Sequence, residues 1–138
     1  MDNYSVEPEL VWTKSKKNQV DQAELRDEDR VMTTLSGDLN LKTLKPVLKN
    51  VDKHFLILKG QNKMALLLVD VMQLEIVRLD SKKHGVQWLR RKHFDRISVY
   101  GSSTFMRYFV KMLVRAIAIG NNMRYFNDRE SAVSWLNQ

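Results

Sequence analysis

The sequence predicts an α/β domain, a sheet of four or five strands flanked by helices in the order ββαβαβαβα. Three observations carry this. Met64-Ala65-Leu66-Leu67-Leu68-Val69 is an unbroken apolar run, too short for a helix of ordinary length and suited to a central strand covered on both faces. From residue 31 onward, short β-prone runs alternate with segments whose apolar residues recur at helical spacing. A chain of 138 residues, 43% of them hydrophobic, supports one substantial core, so residues 1–138 are read as a single domain.

Taken in order, Leu10-Val11-Trp12 and Val31-Met32-Thr33-Thr34-Leu35 are the two opening strands, joined by the polar, highly charged stretch Lys14 to Arg30. Residues 1–30 thus form a divergent N-terminal strand and connection. Ser36-Gly37-Asp38-Leu39-Asn40 reads as a turn, and Thr43 is placed to cap a helix that tolerates Pro46 in its first turn. Leu44, Val47, Leu48, Val51, Phe55 and Leu58 make its apolar face, and Gly60 is its stop. Val71 to Leu79, after the central strand, has no period that assigns an element.

Asp80 is placed to cap a helix running through Val86, Trp88 and Leu89 to Lys92, in which Gly85 costs about 1 kcal/mol relative to alanine. Arg96-Ile97-Ser98-Val99-Tyr100 is the next strand, ending at Gly101. Ser102-Ser103-Thr104 supplies caps for a strongly amphipathic helix with Phe105, Met106, Phe109, Val110, Leu113, Ala116 and Ile117 on its buried face. Gly120-Asn121-Asn122 ends it, Met123 to Phe126 is the last strand, and Asp128 opens a helix that Trp135 is expected to anchor to the sheet.

Composition narrows the function. There are no cysteines, which excludes disulfides, thiolate metal ligands and cysteine nucleophiles. No apolar run approaches the roughly 18 residues that span a bilayer, and Met1-Asp2-Asn3-Tyr4 lacks the basic start of a secretory leader, so a cytoplasmic protein without a transmembrane segment is expected. The net charge of +7 is uneven: residues 1–30 hold 8 acidic and 5 basic side chains, the remainder 8 and 18. Such a body attracts nucleic acid, anionic lipid or an acidic partner, although the same charge also serves solubility.

No catalytic constellation is present. His54, His84 and His93 lie among basic residues without the spacing or carboxylate partner of a metal or acid/base site, and surface positions are expected for all three. Asp70, at the end of the apolar strand, is read as a capping group. The anion-binding candidate is Ser102, Ser103 and Thr104, whose strand-to-helix turn presents backbone N–H groups but lacks the lysine and glycine spacing of a P-loop. Arg107, Lys111 and Arg115, with Arg90-Arg91-Lys92-His93, are basic without an aromatic platform, which favours a solvated face over nucleic-acid binding. No cofactor or metal is implied.

Phe94-Asp95-Arg96-Ile97-Ser98-Val99-Tyr100-Gly101 is similar to the central strand motif of the SpoIIAA-like branch of the STAS family. Met123 to Leu136, with Tyr125 and Phe126 after Arg124, then Ala132 and the closing Trp135-Leu136, resembles its last strand and helix. The resemblance runs from about residue 35; Phe105 stands where that family often has tryptophan, and residues 1–30 match nothing in it. It implies a SpoIIAA-like sheet flanked by helices. Better-known relatives bind partner proteins or nucleotides and are switched at a serine in an Asp-Ser-Ser/Thr-Gly motif that this chain lacks. Asp80-Ser81-Lys82-Lys83 is the nearest approximation, making Ser81 the phosphorylation candidate, with ordinary helix capping as the plainer reading.

A non-enzymatic regulatory or protein-interaction module is therefore expected, acting on a protein partner or another copy of itself. The alternatives are a carrier of a small apolar or lipid-like ligand, with Phe105, Met106 and Phe109 as pocket candidates, and a basic-surface binder of nucleic acid or anionic membrane.

Overall fold

A computed structural model describes residues 24–25, 30–91, 93–117 and 122–138. The elements run β1 (Glu24–Leu25), β2 (Val31–Thr34), β3 (Gly37–Leu39), α1 (Leu41–Gly60), β4 (Leu66–Asp70), β5 (Leu74–Val77), α2 (Leu79–Arg90), β6 (Arg96–Tyr100), α3 (Thr104–Ala116), β7 (Met123–Phe126) and α4 (Arg129–Leu136). The main sheet has the order β1-β2-β4-β6-β7; β2, β4, β6 and β7 are parallel, and β1 is antiparallel to β2. β3 and β5 form a separate parallel pair.

The α/β architecture expected from the sequence is present, with three short strands, β1, β3 and β5, that were not expected. Gly37–Leu39, expected as a turn, is β3; Gly37 enters it at φ 64°, which glycine adopts without strain. Its partner β5 lies in the stretch without a sequence-assigned element. Leu10-Val11-Trp12 falls outside the described residues, and β1 lies within the stretch read as a connection.

β4 is covered on both faces, as its unbroken apolar run demands. Leu67 and Val69 enter a large core under α1, α2 and α3, while Leu66 and Leu68 enter a smaller one with Tyr100, Ala132 and Leu136 under α4. Next to it, β6 ends at Gly101, where a Cβ would sit 2.8 Å from Val71 Cγ2 and 2.9 Å from the Tyr125 hydroxyl, so the close approach of three segments requires glycine.

The helix starts refine the expected caps. Asn40, not Thr43, caps α1, its Oδ1 accepting the Thr43 N–H at 3.1 Å. Arg78 occupies the cap position of α2 without a side-chain bond, and Asp80 lies in the first turn, where its charge suits the helix dipole. Ser103 and Asp128 cap α3 and α4, accepting from the N–H groups of Met106 and Ser131.

On α3, the buried stripe is Met106, Val110, Leu113 and the following Ile117; Phe109 is half-buried, and Phe105 and Ala116 are exposed, against expectation. Phe105 and Ala116 fall at the edge of the stripe, where the 100° step per residue carries them past the sheet. Among the described residues, no helix is long and apolar enough to cross a membrane.

Candidate functional site

α2 is fastened at both ends. At its start, the Leu39 carbonyl of β3 accepts the Arg78 N–H and the Ser81 hydroxyl, each at 3.0 Å. The Arg78 guanidinium also spans both oxygens of Asp38, with Nε at 2.9 Å from Oδ1, and this bond holds the Asp38 carboxyl below its ordinary pKa. At its far end, Trp88 lies between Phe55 and Phe94, with ring centroids 6.1 and 6.2 Å away, and its indole N–H donates to Asp52 of α1 at 2.8 Å.

Between these fastenings the inward face of α2 is unfilled. Ser81, Gly85, Trp88 and Leu89 share one face by their i, i+4, i+7, i+8 spacing, and Gly85 sits at its middle. A Cβ built on Gly85 meets nothing within 4 Å. Beneath it lies a cavity of about 140 Å³, bounded by Val47 and Val51 of α1, Val69 and Val99 of the sheet, and Met106 and Val110 of α3. Among the described residues, Lys82 is the one charged residue lining it, and Thr33 and Ser81 bring hydroxyls to it, while the indole N–H of Trp88 is directed to Asp52. Lys82, Gly85 and Phe109 line the cavity while remaining half-exposed, as Leu35, Leu48, Leu74, Val77 and Val86 also do, so one of its openings lies between α2 and α3.

The sequence candidates divide around this cavity. Met106 and Phe109 line it; Phe105 does not, being 57% exposed and stacked outside on Phe109 with centroids 6.0 Å apart. Ser81 is 1% exposed and its hydroxyl is taken by Leu39, so the accessible hydroxyl that a phosphorylation switch needs is missing there. Of the anion candidate, Ser102 and Thr104 are exposed, while the Ser103 hydroxyl caps α3 and its carbonyl accepts from Tyr125. Gly85 was legible only as a helix weakness; a glycine in the centre of an otherwise apolar helix face was the available signal.

His54, expected at the surface, is buried at 8% exposure, with Nδ1 placed to donate to the Asn50 carbonyl at 2.9 Å; burial lowers its pKa. Arg107 lies over the Tyr125 ring at 5.8 Å and bonds Asn127, while Lys111 and Arg115 project into solvent. In the basic cluster, Arg91 pairs with Asp52 at 3.3 Å, and Lys92 falls outside the described residues. Among the described residues, no three His, Asp or Glu side chains gather as a metal site requires.

Asp70 does cap, accepting the Met72 N–H at 2.8 Å, and it also accepts the Tyr100 hydroxyl at 3.0 Å. Burial first, and the Asp70 carboxylate second, push Tyr100 up to about 12. A phenol that holds its proton more tightly when folded leaves stability unaffected below the unfolded value near 10. Between there and about 12 the unfolded chain releases that proton first, so stability falls as pH rises. Urea midpoints should therefore decline across that window, and Tyr100→Phe should shallow the decline; Tyr125, also raised by burial, supplies part of the remainder.

A four-stranded parallel sheet with an antiparallel edge, three helices over one face and one over the other, defines an α/β domain of the SpoIIAA-like class. A family model of that description, SpoIIAA-like, matches residues 30–137, and the chain belongs to this family. An uncharacterised protein from Shewanella loihica with a SpoIIAA-like fold has a crystal structure that superposes with a TM-score of 0.61 at 16% identity, covering 91% of this chain and 99% of its own. That likeness establishes the fold. None of the curated proteins matches the chain.

Proposed function

We propose that this SpoIIAA-like domain is a binding module for a small apolar ligand held between its sheet and α2. The observation that carries the reading is Gly85, a helix-interior glycine at the centre of an inward face, above about 140 Å³ of unfilled space. Protein interiors ordinarily pack to crystal density with few voids larger than a water. A cavity of this size forgoes about 3 kcal/mol of packing, and the glycine about 1 kcal/mol of helix propensity. Against a usual net stability of about 5–15 kcal/mol, those are large concessions for a domain that needs only to fold. The volume is close to one that accepts a benzene-sized molecule.

A regulatory role fits the same site. Phe109 touches the cavity and stacks on Phe105, which shares the outward face of α3 with Tyr108 and Met112 at 57, 65 and 60% exposure, so occupancy could be read at a surface fit for a protein partner. Gly85→Leu tests the binding reading. It is expected to stabilise the chain by about 1–3 kcal/mol through propensity and filling, and to abolish the rise in melting temperature that benzene or 1-octanol gives the unsubstituted protein. Destabilisation by Gly85→Leu, with no ligand response in the unsubstituted chain, would leave the cavity without a function.

A further inference from the structure

Resting on that cavity, we infer that the ligand is an anionic amphiphile, an unbranched alkyl or aryl body ending in a single carboxylate, and that Lys82 is the residue that selects it. The cavity and its mouth differ in chemistry. Inside, the Ser81 hydroxyl is already committed to Leu39, Thr33 also has a partner of its own, and the other walls are aliphatic and aromatic, so a polar atom carried inward would lose its water without replacement. The buried part of the ligand is therefore hydrocarbon, and a volume near 140 Å³ holds about six carbon atoms.

At the mouth stands a cation. The Lys82 ammonium lies 5.5 Å from the Phe105 ring centroid and 5.7 Å from that of Phe109, two rings stacked within 5° of parallel. Among the described residues no carboxylate pairs with it; Asp80, the acidic residue of the same helix turn, is exposed, and Asp38 is taken by Arg78. Lys82 lies in the first turn of α2, where the helix dipole also favours an anion. The two rings hold the ammonium beside the opening, and the half-exposed residue leaves its N–H donors open to water. A carboxylate arriving there gains charge-assisted hydrogen bonds and keeps its outer oxygen hydrated, so it escapes the penalty of full burial.

This assignment separates head from tail by experiment. Affinities of octanoate, 1-octanol and octylammonium are measured by chemical-shift titration of the full chain at neutral pH. Octanoate is expected to bind about 10-fold tighter than octanol, the margin of one hydrogen bond to a charged group, and octylammonium most weakly. Lys82→Met keeps a long unbranched side chain and removes the charge: octanoate should fall to the level of octanol, with octanol unchanged. Gly85→Leu should abolish binding of both.

Equal affinity for octanoate and octanol in the unsubstituted chain, or a carboxylate preference that survives Lys82→Met, overturns the role of Lys82 and leaves the cavity reading standing. A Lys82-dependent preference that survives Gly85→Leu places the ligand on the outer rings and overturns the proposal. No binding of any of the three overturns both readings.

Discussion

Trp88→Ala should cost about 3–5 kcal/mol, the range for removing a fully packed tryptophan, and should lower the urea midpoint without a matching change in slope. The side chain is 6% exposed, sits between Phe55 and Phe94, and donates its indole N–H to Asp52. Truncation therefore removes aromatic burial and leaves the Asp52 carboxylate with Arg91 as its remaining partner at 3.3 Å. Because Trp88 also lines the cavity and fixes the far end of α2, the variant should lose its melting response to octanol along with its stability. Trp88→Phe, which keeps a ring and drops the N–H donor, should recover most of the loss. A cost below about 1 kcal/mol for the alanine variant would mean that α2 is held elsewhere.

The second large effect is expected at the other face. Leu136 is 1% exposed in the small core with Leu66, Leu68, Tyr100 and Ala132, so Leu136→Ala should cost about 2–5 kcal/mol. Trp135 was the anchor expected from the sequence, but it is half-buried, resting against Phe126 at 5.8 Å and under the Arg96 guanidinium at 5.6 Å. Part of its surface already faces water, so Trp135→Ala should cost about 1–2 kcal/mol. Paired denaturation curves decide the matter: if the tryptophan variant is the weaker of the two, Leu136 is not what holds α4.

The elements whose causes are local were legible. The apolar run of β4, the β-prone Arg96–Tyr100 and the caps Ser103 and Asp128 each declare themselves within a few residues. β3 and β5 did not, because their short, weakly patterned segments become strands only by pairing across the length of α1. The exposed position of Phe105 was hidden for a related reason: helical spacing places it beside Met106 and Phe109, and only the packing of α3 on the sheet decides which edge of the stripe stays wet. A void is harder still to read, since it is defined by atoms that are missing; Lys82 and Gly85 gain a common meaning only once α2 is laid over the sheet.

An interior that leaves room is also one on which hydrostatic pressure acts. Unfolding eliminates the loosely packed space under Gly85, and the molar volume of the system shrinks by an amount that scales with the void lost. Compression therefore pushes this chain toward its open forms more strongly than a fully packed domain of the same size, and a guest that fills the space makes the fold stiffer as well as more stable.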